Sequence, residues 1–571
     1  MDRDFRINSW LVQPRLNSVF RDGSTVRLEP KLMAVLVCLA NHAPEPVSKE
    51  ELLQAVWPDT FVGEGVLFRS IVELRRVFED EAKEPRVIQT IAKRGYRLVA
   101  GLTLADGKET PVSVEDSIAV LPFVNLSADP ENEFFSDGTT EEIISALAHI
   151  KNLHVVARTS VFAFKGKQVD LRTIGAQLKV RTILEGSIRR SGDRLRITAQ
   201  LVNAADGYHL WSETYDREMK DVFAIQEDIA HSIAERLEIT LDAGKQTFHR
   251  SGTASLQAFK LYTQGRAFFF QRGVRLLSAV ECFKKAVNLD PEYALAWSAL
   301  ADAFNMVGFY GLARPDACMP YADDAAQRAV ALDPALAEAH ISRAMSYLLF
   351  DWDRSRAERE FLISLKLKPH HSMARTWYGL FYLNWVAGRF EEAVEHTRTA
   401  VQLDPLSAWS RAMHACAYLP HDVGRCLETV DEILKIDPDF FLGPWIKLVA
   451  FNMQGRFAEA AEIGELVARM SGRFPWVVCS LARTYAKLGK HRDSEALYME
   501  LRWRAKREYV SPTILAWAAW AALRHGEAIQ LAHEANSIGD PVLIGAKYWP
   551  DFADLREDHR FQEILRSRGW T

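Results

Sequence analysis

Residues 70–99 read SIVELRRVFEDEAKEPRVIQTIAKRGYRLV, and this stretch decides how the first part of the chain folds. Leu67, Ile71, Leu74 and Phe78 recur at helical spacing, which predicts an amphipathic helix over 66–78. Apolar residues at 87–91 and 96–100 then predict two strands. The connection between them, 92–95, contains two bases, so the stretch predicts a helix followed by a β-hairpin with a basic tip.

The residues before this stretch complete the domain. Short apolar runs and turn signals over 1–30 predict a small antiparallel sheet, and a helix follows over 31–41. Ser48 and Glu51 have the spacing of a capping box, which predicts a helix start before 49–56. A sheet, three helices and a basic hairpin together predict an α+β winged helix-turn-helix over 1–100.

Three segments of this domain, LLQAVWP (52–58), SIVELRRVF (70–78) and VIQTIAKRGYRLV (87–99), closely resemble the OmpR/PhoB-type DNA-binding domain. The resemblance implies that the third helix enters the major groove and that the hairpin wing touches the neighbouring backbone. It places three residues toward base edges and four toward phosphate: Arg69, Ser70 and Glu73, and Arg76, Thr90, Lys93 and Arg94. Glu73 leaves two alternatives open, since it can accept from cytosine or pair with Arg69 or Arg76 on the helix surface.

The charge balance limits the nucleic-acid surface to a local patch. The 571 residues contain 70 Lys and Arg against 75 Asp and Glu, a net charge of −5. Residues 1–100 contain 15 bases and 14 acids. We therefore expect modest, salt-sensitive binding to double-stranded DNA that needs a homodimer or adjacent sites. Hydrophobic residues at 48% exclude general disorder.

A polar segment over 101–116 is expected to be a linker, and strand-like and helix-like runs alternate over 117–241. Within the second block, VLPF, FSDGTTEEI and LEGSIRRSGDRLRITAQLVNAADGYHLWSETYDR resemble the TolB amino-terminal-like domain, which implies an α/β fold. The start FFSDG is expected to be a turn feeding a helix, with Ser136, Asp137 and Gly138 at the helix start.

The third block, after a linker over 242–255, carries an internal repeat. AVNLDP, AVALDP, SLKLKP, AVQLDP and ILKIDP place prolines 43, 35, 36 and 33 residues apart. This pattern resembles the tetratricopeptide repeat and predicts an all-α solenoid over 256–571, with an insertion near 311–320 and a capping helix over 550–570. By analogy with the repeat, a protein partner would meet a concave face that includes Asn305, Arg375, Tyr378, Tyr382 and Trp385. Packing between repeats is the equal alternative for its aromatic residues.

Nothing in the sequence favours catalysis. Glu213 and Asp216 fall on opposite faces of a predicted strand, and His154 and His209 are isolated on strands. The six scattered cysteines are expected to be reduced thiols, mostly within apolar helical patterns. We therefore expect no catalytic residue, no metal site and no cofactor. Neither a signal peptide nor a membrane helix is predicted, so a cytosolic protein is expected.

The combined interpretation is a cytosolic, bacterial transcription regulator that binds promoter DNA through the winged helix. With no phosphoacceptor receiver expected, it resembles one-chain regulators of the ToxR/CadC type without their membrane helix. The TolB-like domain and the repeats would receive a ligand or a protein partner. The alternative is an interaction scaffold or signalling adaptor that does not bind DNA. A nucleotide-cyclase-like signalling enzyme is the third class, and no segment of the chain is left for its catalytic domain.

Overall fold

The computed structural model describes residues 5–7, 10–14, 18–21, 24–42, 46–57, 64–78, 80, 85, 87–91, 95–99, 102–104, 117–127, 132–148, 150, 153–192, 194–218, 225, 228–229, 232–233, 237, 253 and 255–569. The chain divides into two units, Met1–Ser113 and Val114–Thr571. Each unit has its own hydrophobic core.

The first unit opens with the predicted antiparallel sheet. Its strands are β1 (Phe5–Ile7), β2 (Trp10–Gln13), β3 (Ser18–Arg21), β4 (Ser24–Arg27) and, much later in the chain, β7 (Leu102–Leu104). The spatial order is β4-β3-β2-β1-β7. Because β7 pairs with β1, with Phe5 opposite Leu104, this domain extends beyond residue 100. The expected linker over 101–116 was therefore wrong for residues 102–104, which form a strand of this domain. Residues 105–116 lie outside the described residues.

Three helices and a hairpin complete this unit: α1 (Pro30–His42), α2 (Lys49–Val56), α3 (Glu64–Phe78), β5 (Ile88–Ile91) and β6 (Gly95–Leu98). The predicted capping box is present, since the backbone N–H of Glu51 donates to Ser48 Oγ over 3.1 Å and the reverse bond to Glu51 Oε2 is 2.9 Å. A bridge between Val47 and Tyr96 ties the hairpin to the segment before α2. The winged-helix prediction is confirmed.

The second unit begins with a mixed sheet, the middle domain. Its strands are β8 (Ser117–Val120), β9 (Val124–Asn125), β10 (His154–Val155), β11 (Thr182–Ser191), β12 (Arg194–Asn203) and β13 (His209–Glu218), in the order β10-β8-β11-β12-β13 with β9 beside β11. The helices are α4 (Asn132–Ala148), α5 (Arg158–Phe162) and α6 (Leu171–Leu178). β10 and β8 run parallel to their neighbours, and β11, β12 and β13 form a long antiparallel meander. The α/β expectation is confirmed.

The predicted start of α4 was wrong. The helix begins at Asn132, so Ser136, Asp137 and Gly138 lie in its second turn, and all three are buried. Asp137 accepts two hydrogen bonds from Lys165 Nζ, at 2.5 and 2.7 Å, in place of capping the helix. The physical reason for Gly138 is close packing, because a Cβ there would lie 2.2 Å from Thr263 Cγ2 in the following domain.

The rest of the chain is a helical array, as the repeat predicted. Its helices form pairs that continue to the end. They are α7 (Leu256–Gln271), α8 (Arg275–Leu289), α9 (Ala294–Phe309), α10 (Pro315–Leu332), α11 (Ala337–Ser346), α12 (Arg354–Leu367), α13 (Ser372–Trp377), α14 (Phe390–Leu403), α15 (Ala408–Tyr418), α16 (Val423–Ile436), α17 (Leu442–Met453), α18 (Phe457–Met470), α19 (Pro475–Lys487), α20 (His491–Arg504), α21 (Pro512–Ala521), α22 (His525–Ser537), α23 (Ala553–Arg556) and α24 (His559–Ser567).

In two of the helix pairs the first helix continues into a π-helical segment. These segments are Tyr347–Asp351 after α11 and Tyr378–Ala387 after α13. The irregular spacing predicted near 311–320 corresponds to the long helix α10, which starts at Pro315 and runs for 18 residues. The expected capping helix is divided in two, since α23 and α24 are separated at Asp558, whose side chain caps α24. Phe561, Ile564 and Leu565 of α24 are buried in the array core.

Candidate nucleic-acid interface

Helix α3 has one buried face and one exposed face. Leu67, Ile71, Leu74 and Phe78 are at most 3% exposed, which confirms the predicted core face. The outer face consists of Phe68, Arg69, Val72 and Arg76, all exposed. These positions follow the helical repeat, so the four side chains form one continuous stripe. A stripe of this kind on a helix held rigidly by its other face can enter a DNA groove.

The wing is fixed to α3 by Arg75, a residue that the sequence analysis did not single out. Its side chain is only 8% exposed. Nη2 donates to Ile88 O over 2.8 Å and to Thr90 Oγ1 over 2.9 Å, and Nε donates to Ile88 O over 3.2 Å. Thr90, expected at a phosphate, is exposed and accepts one of these bonds. The spacing of the buried residues of α3 could have indicated Arg75, since it lies beside Leu74 and Phe78.

Two charged residues predicted at the DNA, Glu73 and Arg76, form an ion pair on the surface of α3. Arg76 Nη2 lies 2.7 Å from Glu73 Oε1, and the Arg76 side chain is 79% exposed. This geometry favours the surface-pair alternative for Glu73. Arg69 Nε donates to Gly65 O over 3.3 Å, and the hydroxyl of Ser70 donates to Val66 O over 3.1 Å. Arg69 and Arg76 therefore reach solvent, whereas Ser70 is half-buried and bonded to its own helix.

Two predicted wing residues, Lys93 and Arg94, lie outside the described residues. The described part of the wing resumes at Gly95, the first residue of β6, whose φ is +116°. A Cβ at this position would lie 2.0 Å from Val47 O, so only glycine fits.

The apolar residues Phe68 and Val72 were missed, because the sequence analysis considered only polar residues on the outer face. Phe68 is 58% exposed and Val72 is 47% exposed. Exposed apolar side chains four residues apart on a helix are costly unless something covers them. In a major groove they would meet the methyl groups of thymine.

The predicted partner-binding residues lie mainly inside the array. Tyr378, Tyr382 and Trp385 are 2–6% exposed, and Asn305 is fully buried. Both tyrosine hydroxyls donate to Glu358, at 3.0 and 2.9 Å, and Asn305 Nδ2 donates to Ser342 O over 3.2 Å. These four residues pack between repeats, so they do not line an open face. Arg375 is half-buried and donates to Pro369 O over 2.8 Å.

The remaining candidates for chemistry are placed as follows. Glu213 accepts from the Tyr215 hydroxyl, and Asp216 pairs with Arg194 and Arg196. All six cysteines are free, and burial raises the pKa of the Cys318 thiol to about 12. In the part of the chain that the structure describes, no group of His, Cys, Asp or Glu could hold a metal ion, and no helix is long and apolar enough to cross a membrane.

Two family models match the chain. Residues 23–98 match the model described as transcriptional regulatory protein, C terminal. The first domain is an OmpR/PhoB-type winged helix. Residues 114–235 match a second model, the second domain of HilA/YgeH-like transcriptional regulators, which covers the middle domain. That description is more specific than the TolB-like resemblance, and the two overlap in sequence range.

Three relatives place the chain among known proteins. A protein named "Putative adenylate cyclase 3" from Rhizobium meliloti is 36% identical over 248 residues, 43% of this chain and 42% of that protein. The transcriptional activator CadC of Escherichia coli is 40% identical over 95 residues, 16% of this chain and 19% of that protein. Its solved DNA-binding domain matches 18% of this chain and 96% of that domain, with a TM-score of 0.17 and 35% identity.

The transcriptional regulator HilA of Salmonella typhimurium is 25% identical over 405 residues, 68% of this chain and 69% of that protein. The chain spans less than half the length of the first two relatives. The family models, together with CadC and HilA, support a DNA-binding transcription regulator.

Proposed function

We propose that this protein is a transcription regulator that reads double-stranded DNA with the outer stripe of α3, Phe68, Arg69, Val72 and Arg76. The observation that carries the proposal is this exposed stripe on a helix whose other face is at most 3% exposed. In this role Arg69 meets a base edge and Arg76 a phosphate, while Phe68 and Val72 pack on thymine methyl groups. The wing adds Thr90, Lys93 and Arg94 at the neighbouring backbone.

Binding in pairs follows from the small number of cations. Arg76 is partly neutralised by Glu73, so a single domain contributes few phosphate contacts and its affinity is weak at physiological salt. Two linked domains on adjacent half-sites raise the effective concentration of the second domain. We therefore propose that the protein binds DNA as a homodimer. We also propose that the middle domain and the array receive a ligand or a protein partner. The site of action is the cytoplasm, and the role is binding without catalysis.

The relative named after adenylate cyclase does not change this proposal. Its similarity covers 43% of this chain, whereas both family models describe parts of transcription regulators. The exposed stripe on α3 offers contacts to nucleic acid, and its Arg76 pairs with Glu73 beside the stripe.

Fluorescence anisotropy with the full-length protein tests the proposal. DNA fragments from upstream of its own gene serve as ligands, and the salt concentration is varied. Arg76→Ala should weaken binding to all sequences and reduce the salt slope by about one unit. Arg69→Ala should reduce discrimination between sites by about 1–3 kcal/mol.

A matched control is Arg425→Ala in the array. Arg425 is exposed and pairs with an acid three residues away, as Arg76 does, so its removal should leave the affinity unchanged. Equal, salt-independent behaviour of the wild-type protein and the Arg76→Ala variant would leave the interaction scaffold as the better reading. Sedimentation on DNA with one or two half-sites tests the homodimer.

A further inference from the structure

A cavity of about 210 Å³ lies where the middle domain packs on the array, within the second unit. Helix α4 supplies one wall, including Glu141 and Ile144. The first helices of five successive pairs, α7, α9, α11, α13 and α15, supply another, including Tyr262 and Trp409. This space is well above the roughly 10–15 Å³ that a single water molecule needs. It is smaller than the pockets of drug-sized ligands and suits a small metabolite.

The walls of this cavity are held together by direct contacts between the two domains. The backbone N–H of Ala157 donates to Leu403 O over 3.1 Å, and the Ser160 hydroxyl donates to Asp404 Oδ1 over 2.6 Å. On the other side, Gly138 of α4 approaches Thr263 so closely that no side chain fits between them. The cavity is therefore formed before any ligand enters.

Most charges in the lining are paired. Glu141 forms ion pairs with Arg158 and with Arg266, the second at 3.4 Å. Lys368 Nζ lies 3.0 Å from Glu338 Oε1. Burial opposes the ionisation of Glu338, but Lys368 and the neighbouring histidine outweigh it and hold its pKa well below the usual range. These groups neutralise one another within the wall.

The two other carboxyls in the lining are less acidic than usual. Burial raises the pKa of Glu142 to about 7 and the pKa of Asp404 to about 6. At neutral pH a substantial fraction of Glu142 is therefore uncharged. Asp404 is still mostly ionised at that pH, so the cations Arg158, Arg266, Arg272 and Lys368 exceed the negative charge of the lining only slightly, and this small excess favours an anion.

Arg272 is a lining cation for which the described residues supply aromatic rings and no carboxylate within ion-pair distance. Its guanidinium stacks on the rings of Phe269 and Trp409, 4.3 and 4.9 Å from their centroids. Its Nη1 is buried, and among the described residues no atom accepts a hydrogen bond from this side chain. Stacking holds the guanidinium plane while leaving its N–H groups free at the edge. A guanidinium in this state matches a carboxylate, which accepts two parallel hydrogen bonds.

The backbone at Arg272 is strained. Its φ is 59° and its ψ is −167°, a conformation that glycine adopts readily and that residues with side chains rarely adopt. Strain of this kind persists where the surroundings hold it, and it is concentrated at ligand-binding sites.

Helix ends add to the preference for an anion. Helices α9, α11 and α15 begin at the cavity, with Leu295, Glu338 and Trp409 of their first turns in its lining. The amino-terminal end of a helix carries a partial positive charge. Ile144, Val155 and Phe270 supply apolar surface beside these ends, so the space suits a molecule with an anionic end and an apolar body.

We propose that this cavity binds a small organic monocarboxylate, whose carboxylate pairs with Arg272 and whose apolar body fills the space beside α4. A second negative charge is disfavoured because the same wall already contains Glu141 and Glu338, each paired with a cation. The site goes beyond the proposed DNA-binding function and does not rest on it, so either one stands if the other fails.

Calorimetric titration of the full-length protein tests this site, with benzoate as the probe at constant ionic strength. Benzamide has the same shape without the charge, and inorganic phosphate has charge without the apolar body. Benzoate should bind, benzamide should bind roughly tenfold or more weakly, and phosphate should not compete. Equal binding of benzoate and benzamide, or absence of benzoate binding up to millimolar concentrations, overturns the proposal.

Variants of Arg272 assign the binding to the cavity. Arg272→Gly suits the backbone conformation and removes the guanidinium, so the protein should fold and lose benzoate affinity roughly tenfold or more. Arg272→Lys keeps the charge but cannot donate two parallel hydrogen bonds, so it should bind benzoate with intermediate affinity. This variant provides a second measurement if the glycine variant unfolds. Arg275→Ala is the control, since this exposed arginine lies outside the cavity lining. Undiminished binding by both Arg272 variants refutes the site.

Discussion

Replacing Arg75 by methionine should loosen the wing of the DNA-binding domain while leaving its outer stripe intact. The side chain donates three hydrogen bonds, to Ile88 O and to Thr90 Oγ1, from a position that is 8% exposed. Methionine keeps most of the aliphatic stem and removes every donor. The buried carbonyl of Ile88 then loses both hydrogen bonds that Arg75 donates to it.

The expected cost follows from the bonds lost. A hydrogen bond that involves a charged group contributes about 1.5–3 kcal/mol. Removing a buried charge returns part of that amount, because the guanidinium no longer has to be desolvated. We expect a net loss of about 2–4 kcal/mol in the free energy of opening this domain, which corresponds to a roughly 30- to 900-fold increase in the open population.

Hydrogen exchange of the full-length protein measures this loss locally. Peptides from 87–99 and 64–78 should exchange faster in Arg75→Met by that factor, whereas peptides from the array should be unchanged. Arg76→Ala is the matched control, because Arg76 is the adjacent arginine, is 79% exposed and has one surface ion pair. It should change exchange by at most about fivefold. Unchanged exchange at 87–99 in Arg75→Met would refute the idea that this residue anchors the wing.

Three further predictions concern stability. Ser48→Ala should destabilise the first unit by about 1 kcal/mol through loss of its cap, and thermal unfolding should show that Ser48→Asp restores it. Gly138→Ala should destabilise the second unit by about 1–3 kcal/mol, since its Cβ would overlap Thr263 and the ring of Phe259, and Thr263→Ser should relieve the larger of the two overlaps in a double variant. Burial lowers the pKa of His414 to about 4, so the unfolded chain binds the proton more readily and stability falls as pH drops from 6.5 to 4. In urea titrations His414→Gln should reduce that fall by up to about 3 kcal/mol, and equal pH dependence in both proteins would contradict the assignment.

The elements that the sequence predicted correctly depend on neighbours along the chain. The capping box at Ser48 and Glu51 needs residues three positions apart, and the buried face of α3 needs one helical period. The repeat was recognisable because each pair of helices packs mainly on the next, so each copy carries its own signals. Such features can be read without knowledge of distant contacts.

The wrong or missing elements depend on distant contacts. Ser136 to Gly138 have the composition of a helix start, but Gly138 is required in mid-helix because α7 packs against it. Tyr378 and Tyr382 have the composition of a binding surface, yet both donate to Glu358 from the neighbouring helix. The strained backbone and missing hydrogen-bond partners of Arg272 are visible only in three dimensions.

Arg75 and Arg76 are neighbours in sequence, yet the helical period alone assigns one to the contact with the wing and the other to the exposed stripe. Consecutive residues on a helix differ by about 100° in direction, so one arginine of the pair must turn toward the hairpin when the other turns toward solvent. Leu74 and Phe78 set the phase, because both are buried and Arg75 lies between them on the same side. The same argument places Arg76 on the stripe with Phe68, Arg69 and Val72. Replacing both arginines by apolar residues would therefore cost both the anchor and the proposed contact to DNA, whereas each single substitution costs only one of them.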